Sequence, residues 1–439
     1  MSEPPGARVI RGRIVSFLDE PRLAGASAMT LVEDGAVLVE NQRIAAVGEA
    51  AAIRARAPKG AEVDDHAGKL VMPGFIDAHI HYPQTRVIAS YGAQLLEWLR
   101  KYTFVEEQKL RERGHADIVA RFFLDEMFRQ GTTTAMVYCT VHPESVDAFF
   151  DESLKRGARM IAGKVMMDRN APAGLTDDPQ RGYDESKALI ARWRGRGRLD
   201  YAVTPRFAVT STDAQLEAAG ALLRENPGAY MQTHLDENHA EIAFVRQLFP
   251  WAATYLGVYE RYGLLGPRSV FGHCIHLEQS EVAALAASRS VAAFCPTSNL
   301  FLGSGLFDMK RLHDHGVRVS LATDVGGGTS YSMLQTANEA YKVLQMGGQS
   351  WPAVQAFYQM TLGNSRALGL EDRIGAIREG LEADIVVLDS RATPAMAHRM
   401  ASVAGDVAEE LFILMMMGDD RAVSQTYVAG RPVKSGLAQ

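Results

Sequence analysis

The sequence predicts an α/β protein: a TIM-type (β/α)8 barrel with a small β-sandwich domain built from both chain ends. Three observations predict this fold. Eight strand-like segments alternate with amphipathic helical segments through the middle of the chain, and strand signals return at both ends. At 439 residues, the chain is also longer than a usual single domain other than an α/β barrel. We expect residues 1–72 and 374–439 to form the small domain and residues 73–373 the barrel.

The strand signals at the two ends of the chain resemble each other. Residues 9–18 alternate roughly between apolar and polar side chains, and residues 36–47 predict a hairpin that turns at 40–43. Residues 383–389 form a β-branched run, and residues 426–433 predict a second hairpin. These strands can share a domain only if the chain ends meet, so the barrel is expected to interrupt the small domain.

The barrel strands follow one another in the middle of the chain. A helix with Val119, Phe123 and Met127 at four-residue spacing precedes the second strand, and Gly131 is expected to end that helix. The eight predicted strands span residues 73–81, 132–138, 159–167, 199–203, 230–234, 269–273, 291–295 and 317–323.

The composition excludes several classes of protein. The chain is 47% hydrophobic and 22% charged, has a net charge of −6 and contains no Lys/Arg run of five, which argues against nucleic acid or a membrane surface as its main partner. Three scattered cysteines predict no disulfide framework and fit a reducing compartment. The first residues lack the apolar segment of a secretory signal, and residues 411–417 are far shorter than the ~18 residues of a membrane span. We therefore expect a cytoplasmic protein.

Polar side chains mark the ends of the predicted barrel strands. His79 and His81 lie at i and i+2 of the first strand, so both side chains leave the same face. His234, His273 and Asp324 end the fifth, sixth and eighth strands. The carboxyl ends of barrel strands meet at one face, and neutral imidazoles with one carboxylate suit zinc or iron. The sequence therefore predicts a metal site there.

Each of these residues also has a simpler explanation when it is considered alone. A single strand-end histidine is more often a hydrogen-bonded core residue, and Asp324 could cap the helix that starts near Ser332. The convergence of five such residues favours the metal site. We expect His276 to be structural and the other histidines to be solvated: His66, His115, His142, His239, His313, His315 and His398.

Longer motifs show a resemblance to a known family. The opening Pro73-Gly74-Phe75-Ile76-Asp77-Ala78-His79-Ile80-His81, with the later His and Asp positions, resembles the amidohydrolase superfamily and, within it, the guanine deaminase family. Asp236 departs from the small neutral residue expected there. The narrower resemblance runs over nearly the whole chain. Its motifs are residues 81–84, 95–99, 101–104, 163–170, 204–208, 233–238, 294–299 and 418–421.

The resemblance implies an enzyme of purine catabolism that hydrolyses guanine to xanthine and ammonia. It implies one catalytic metal per chain, usually Zn2+ with Fe2+ possible, held by His79, His81, His234 and Asp324. Lys164 precedes the end of strand three and does not match a metal-bridging carboxylated lysine, so the site is expected to be mononuclear. The family also implies a homodimer.

The reaction assigns roles to the remaining polar residues. Hydrolytic deamination needs hydroxide and two proton transfers, and a metal ion lowers the pKa of water from ~15.7 towards ~7. Glu237, three residues after His234, is predicted to shuttle protons; its simpler explanation is a helix-start carboxylate. Asp324 is predicted to accept the proton of the water, and His273 to stabilise the oxygen in the tetrahedral intermediate.

Substrate recognition needs hydrogen bonds and a flat apolar surface. Arg206 offers donors to the purine carbonyl, Gln84 offers both a donor and an acceptor, and Phe207 offers a ring face. Glu237 is also expected to contact the substrate. For Trp98 we prefer core packing, and the simpler explanation of Arg206 is a surface salt bridge.

Two alternatives to a guanine deaminase remain for comparison, and a third is excluded by the sequence. One is an amidohydrolase deaminase acting on a cytosine-, adenosine- or triazine-type substrate. Another is a metal-free scaffold protein on the same fold, which metal content would distinguish. A third, the unrelated zinc deaminase fold, needs His-x-Glu followed by Pro-Cys-x-x-Cys; residues 276–278 match the first half, but the sequence contains no Cys-x-x-Cys.

Overall fold

The structure is a computed structural model that describes residues 6–92, 94–403 and 405–434. The outer ends of the predicted small domain, residues 1–5 and 435–439, lie outside the described residues. The described strands are β1 (Arg8–Phe17), β2 (Met29–Glu40), β3 (Arg43–Glu49), β4 (Glu62–Pro73), β5 (Phe75–His81), β6 (Thr132–Tyr138), β7 (Arg159–Gly163), β8 (Val165–Met166), β9 (Leu199–Pro205), β10 (Tyr230–Leu235), β11 (Ser269–His273), β12 (Val291–Phe294), β13 (Arg318–Leu321), β14 (Ile385–Leu388), β15 (Val423–Val428) and β16 (Arg431–Pro432).

Most of the α-helices connect barrel strands or cover the outside of the barrel. None of the described helices is both long and apolar enough to cross a membrane. The helices are α1 (Pro21–Ala24), α2 (Ala50–Arg56), α3 (Leu95–Trp98), α4 (Phe104–Glu107), α5 (Arg113–Arg129), α6 (Pro143–Arg156), α7 (Pro179–Trp193), α8 (Asp213–Glu225), α9 (His239–Leu248), α10 (Tyr255–Arg261), α11 (Gln279–Ser288), α12 (Pro296–Phe301), α13 (Met309–Asp314), α14 (Met333–Met346), α15 (Ala353–Tyr358), α16 (Asn364–Ala367), α17 (Pro394–Met400) and α18 (Val407–Met417).

The small domain is one seven-stranded sheet that both chain ends build, in the order β16-β15-β14-β4-β1-β2-β3. Both predicted hairpins are present, because β2 pairs with β3 and β15 pairs with β16 in antiparallel register. β14 pairs with β4 and thereby joins the two ends of the chain. The register between β1 and β2 shifts between Gly12 and Ile14, where two residues of β2 oppose one of β1, as in a β-bulge. The predicted small domain is confirmed; the exact residue boundaries remain a prediction.

The barrel contains the eight predicted parallel strands in sequence order, β5-β6-β7-β9-β10-β11-β12-β13, and β8 continues the third strand and pairs with β9. A buried cluster fills its interior with side chains from successive strands, among them Ile76, Met136, Ile161, Ala202 and Val270. Gly131, with a positive φ of 85°, follows the helix α5. The (β/α)8 prediction is confirmed, with strand ends shifted by one to a few residues.

The join between the first and last barrel strands, β5 and β13, depends on side chains. Among the described strands these two share no ladder. Asp77 accepts a hydrogen bond from the Thr323 amide (3.1 Å), and Asn364 Nδ2 donates to a main-chain carbonyl of each strand (2.6 and 2.7 Å). The Asp324 amide donates to the His79 carbonyl (2.9 Å). Predicted metal ligands therefore lie on both sides of the join: His79 and His81 on the first strand, and Asp324 just after the eighth.

A buried ion-pair network attaches the C-terminal segment to the barrel. Glu382 is 6% exposed and accepts hydrogen bonds from Arg159 Nε (2.8 Å) and Arg198 Nη1 (2.7 Å). Arg198 also donates to Asp384 (2.7 and 2.9 Å). Burial alone would raise the pKa of Glu382, but the two guanidinium groups outweigh burial and hold this pKa below its usual value. The ionised carboxylate therefore stabilises the fold.

We expect Glu382→Gln to lower the free energy of unfolding by about 3 kcal/mol, because it leaves buried guanidinium charge uncompensated. Thermal and urea unfolding at pH 7 measure this loss. A depressed carboxyl pKa contributes stability above the unfolded pKa of about 4.3, and this contribution is lost as the pH falls through the folded pKa. The difference between the two proteins should therefore shrink at acidic pH.

Glu379→Gln provides the matched control for this prediction. Glu379 lies on the same segment, its side chain is 56% exposed, and it pairs with Arg56 only at 3.9 Å. We expect this variant to change stability by less than about 0.5 kcal/mol. Equal effects of the two substitutions would show that the buried network contributes nothing specific.

Candidate metal centre and active site

Three histidines converge at the carboxyl ends of β5 and β10. The His79 and His81 Nε2 atoms are 3.3 Å apart, and the His81 and His234 Nε2 atoms are also 3.3 Å apart. His234 donates from Nδ1 to the Arg206 carbonyl (2.7 Å), which leaves its Nε2 lone pair directed at the other rings. Gly272 permits this packing, because a Cβ there would lie 2.6 Å from the His79 ring.

Asp324 completes this donor set. Its Oδ1 lies 3.3 Å from His81 Nε2 and 3.5 Å from His79 Nε2. Its backbone has a positive φ of 52°, unusual for a residue other than glycine, and such strain is concentrated at functional sites. The turn after β13 thus directs a carboxylate into the barrel mouth.

The geometry and charge of these four side chains fit a divalent cation. Ligands about 2.0–2.2 Å from one ion are separated by roughly the 3.3–3.5 Å found here. Burial lowers the pKa of His81 to about 3, and it lowers the pKa values of His79 and His234 as well, so the imidazoles are neutral and able to coordinate. The predicted donors His79, His81, His234 and Asp324 therefore come together.

Cys295 is a fifth possible donor that the sequence did not indicate. Its Sγ lies within 4.8 Å of donor atoms of His79, His273 and Asp324. Burial raises the pKa of this thiol well above its usual value, which favours the neutral form. A neutral thiol is a weak ligand, so the nitrogen and oxygen donors fit the cation better.

His273 and Glu237 lie beside the donor set and contact each other. His273 Nε2 is 3.3 Å from Glu237 Oε2 and 3.8 Å from Asp324 Oδ2, and its Nδ1 bonds Asn299 (2.9 Å). Ser304 Oγ donates to Glu237 Oε1 (3.0 Å). Burial, with the charge of Asp324 second, raises the pKa of Glu237 above its usual value. A carboxyl group with a raised pKa is suited to proton transfer near neutral pH.

The predicted substrate residues line a cavity over this centre that is partly open to solvent. Gln84, Arg206 and Phe207 contribute to its wall, as do Glu237 and His273. Trp98 also lines the cavity, whereas the sequence favoured core packing; the ring is 3% exposed and its Nε1 donates to the Ser90 carbonyl (3.1 Å), so it does both. The remaining lining residues are His81, Leu95, Leu99, His234, Ser298, Leu302, Asp324 and Gly327.

Glu107 is a buried carboxylate that the sequence analysis missed. It is fully buried in α4, and it accepts hydrogen bonds from Arg206 Nη1 (2.8 and 2.9 Å) and Gln84 Nε2 (3.0 Å). The partner of Arg206 is therefore a buried acid, and the surface salt bridge considered from the sequence is wrong. Glu107 gave no signal, because a run of charged residues after Phe104 is typical of a solvated helix face.

Asp236 and Lys164 lie outside the cavity wall. Asp236 is two residues after His234, but β10 ends at Leu235 and the positive φ of Asp236 (49°) turns its side chain away. Burial, with Glu281 and Glu241 nearby, raises the pKa of Asp236 well above its usual value. Lys164 is fully buried and pairs with Asp177 and Glu185, away from the donor set.

The histidines expected to play no part in the site are absent from the donor set among the described residues. His276 Nε2 bonds the Ser304 carbonyl (2.8 Å), in agreement with a structural role. His66 bonds Tyr427 (2.8 Å), and burial lowers the pKa values of His142 and His313, so these three are less solvated than the sequence indicated.

Comparison with known families identifies the class of protein that this fold and site define. The model of the amidohydrolase family matches residues 70–433. A second model, of the imidazolonepropionase-like composite domain of bacteria, matches residues 35–59. The chain therefore belongs to the amidohydrolase family.

Several relatives that match nearly the whole chain are guanine deaminases. The Escherichia coli (strain K12) guanine deaminase is 47% identical over 438 residues, 99% of each chain. The solved structure of E. coli guanine deaminase has a TM-score of 0.94 at 46% identity and covers 97% of this chain and 99% of that one. The guanine deaminase from C. acetobutylicum, solved with bound guanine in the active site, has a TM-score of 0.86 at 26% identity and covers 97% and 100%. The resemblance expected from the motifs is confirmed.

Proposed function

We propose that this chain is a guanine deaminase that hydrolyses guanine to xanthine and ammonia. The single observation that carries this function is the cavity that three of the four proposed donors, His81, His234 and Asp324, share with the carboxyl group of Glu237 and the hydrogen-bonding groups of the wall. The fourth donor, His79, lies directly behind this wall, 3.3 Å from His81. Full-length similarity to guanine deaminases supports the substrate.

We propose one Zn2+ per chain, held by His79, His81, His234 and Asp324. When bound, the cation lowers the pKa of water and so supplies hydroxide at neutral pH. The neutral imidazoles and the short separations between their donor atoms support this assignment. Fe2+ has similar ligand preferences and is the second candidate.

The cavity wall binds and orients the purine in this proposal. Arg206 donates to the carbonyl oxygen at C6, and Gln84 contacts the neighbouring N1–H. Phe207 and Trp98 provide apolar surface for the flat ring. This orientation directs the amino-bearing carbon C2 towards the donor set and Glu237.

Glu237 moves the protons of the reaction. It accepts a proton from the attacking water, delivers it to the ring nitrogen next to C2, and assists proton delivery to the departing amino group, which leaves as ammonia. His273 donates a hydrogen bond to the oxygen added at C2. Asp324 accepts the second proton of the water, and this proton passes to the departing amino group to complete ammonia. The contacts of Glu237 with Ser304 and His273 hold its carboxyl group in place for both transfers.

A panel of aminated heterocycles tests this function. Purified protein with measured metal content is assayed for ammonia release from guanine, adenine, adenosine, cytosine and amino-triazines. We expect guanine to have the highest kcat/KM. Release from another heterocycle but not guanine would identify a different amidohydrolase deaminase. A protein with no metal and no activity on any compound would favour the scaffold alternative.

We further propose a cytoplasmic homodimer that acts in purine catabolism. The family resemblance supports the dimer, and the charge and the scattered cysteines support the location. All three described cysteines are buried and unpaired, as a reducing compartment permits.

A further inference from the structure

Glu107 contacts both polar residues that the proposed function places against the purine, although it does not line the cavity. We propose that Glu107 is a positioning residue that determines specificity, because it fixes which hydrogen-bonding atoms Arg206 and Gln84 present to the substrate. This inference rests on the proposed function and names the chemical feature by which the same site selects its substrate.

The first contact fixes the guanidinium group of Arg206. Both oxygens of Glu107 accept from Arg206 Nη1, at 2.9 and 2.8 Å, and the Arg206 guanidinium carbon lies 5.5 Å from the centre of the Phe104 ring. Arg206 is 3% exposed and Glu107 is fully buried, so each charge compensates the other. Within the described part of the chain, the side-chain hydrogen bonds of Arg206 come from Nη1 alone, and the residue lines the cavity, so the N–H groups of Nε and Nη2 are available to a ligand oxygen.

The second contact fixes the direction of the Gln84 amide. Gln84 Nε2 donates to Glu107 (3.0 Å), and Gln84 Oε1 accepts from the Gly326 amide (3.2 Å). An ionised carboxylate only accepts and a backbone N–H only donates, so the reverse orientation of the amide would lose both bonds. Gln84 therefore directs its NH2 group at Glu107 and keeps a lone pair of Oε1 for the cavity.

Together the two contacts place a hydrogen-bond donor, the free N–H groups of Arg206, next to an acceptor, Oε1 of Gln84. This pair complements a lactam edge, in which a ring carbonyl accepts and the neighbouring ring N–H donates, as at C6 and N1 of guanine. The same pair does not match the corresponding edge of 2,6-diaminopurine, in which the amino group at C6 donates and the ring nitrogen N1 accepts. There, donor would face donor and acceptor would face acceptor. Both purines carry the same reacting amino group at C2, so they differ only at the edge that Glu107 controls. Unpaired polar groups in a buried site are the strongest source of such discrimination.

The test compares Glu107→Gln and Glu107→Asp with the wild type on guanine and 2,6-diaminopurine. Glutamine removes the charge that holds Arg206 and allows the Gln84 amide to reverse. We expect KM for guanine to rise about 10- to 100-fold in Glu107→Gln, with kcat changed less than about 5-fold and metal content unchanged. The ratio of kcat/KM for guanine to that for 2,6-diaminopurine should fall at least about 10-fold. Aspartate keeps the charge, so it should retain part of the ratio.

Glu106→Gln is the matched control, because Glu106 precedes Glu107 but pairs with Lys109 and lies outside the cavity wall. It should leave the substrate ratio unchanged. The ratio does not depend on the fraction of folded enzyme, so lower stability alone cannot change it. If Glu107→Gln folds poorly, its folded fraction still decides the question, because the ratio is independent of that fraction. A greater loss of the ratio in Glu107→Asp than in Glu107→Gln would overturn the inference. An unchanged ratio in Glu107→Gln would also overturn it, whereas a wild type inactive on guanine would refute the proposed function instead.

Discussion

Replacing Glu237 with glutamine is expected to lower kcat for guanine by about 10²- to 10⁴-fold while leaving the metal content at the wild-type level. The amide has nearly the same shape, and it can still contact Ser304. It cannot take up and release the proton that the reaction moves between the water, the ring nitrogen and the leaving amine. Single-turnover rates and metal analysis on the same preparation measure the two quantities.

Glu278→Gln is the control for this substitution. Glu278 precedes α11, its side chain is 49% exposed, and it pairs with Arg246 on the surface. Its replacement should leave turnover and metal content unchanged. Near-normal turnover in Glu237→Gln would remove Glu237 from the proton-transfer role and leave His273 as the main candidate.

The second large effect is expected from the metal donors. His81→Ala and Asp324→Ala should each lose bound metal and activity together, because each removes one of four donor atoms. A residue that only orients a ligand typically contributes about 10- to 100-fold to metal affinity, and a direct donor is expected to contribute more. Metal content after gel filtration, and activity with and without added Zn2+, measure the effect.

His142→Ala is a suitable control, because His142 follows barrel strand β6 but lies outside the donor set among the described residues. We expect this variant to keep its metal and its activity. A fully metal-loaded and active His81→Ala protein would refute the assigned ligand set. Chelator treatment of the wild type should reproduce the loss, and Zn2+ should reverse it.

The convergence of the proposed metal donors could be predicted largely because regular strands determine the positions of the histidines. His79 and His81 share a face through the two-residue period of β5, and parallel barrel strands bring their carboxyl ends to one side of the fold. His234 and His273 follow from the same rule. Asp324 follows the end of the eighth strand, and the turn after β13 completes its placement. The contacts among these histidines depend mainly on the order of the strands and on where each strand ends. Both features could be predicted from the sequence.

Residues whose role depends on a turn or a distant contact could not be predicted in this way. Asp236 follows the strand rule on paper, but a single residue with positive φ turns it out of the site. Glu107 has its charge partner, Arg206, almost one hundred residues later in the chain, and no local pattern joins the two. Cys295 lies at a strand end like the donors, yet the pattern does not distinguish a buried thiol from a ligand.

The proposed metal centre spans the join between β5 and β13, so a bound cation is expected to affect the stability of the barrel as well as catalysis. The donors stand on both sides of that join, His79 and His81 on one strand and Asp324 just beyond the other. A cation held by these side chains cross-links the two edges of the barrel sheet, which otherwise share few direct backbone bonds. We therefore expect loss of the proposed ion to loosen the closure of the barrel as well as to stop the reaction, so that the apo and holo proteins differ in resistance to unfolding.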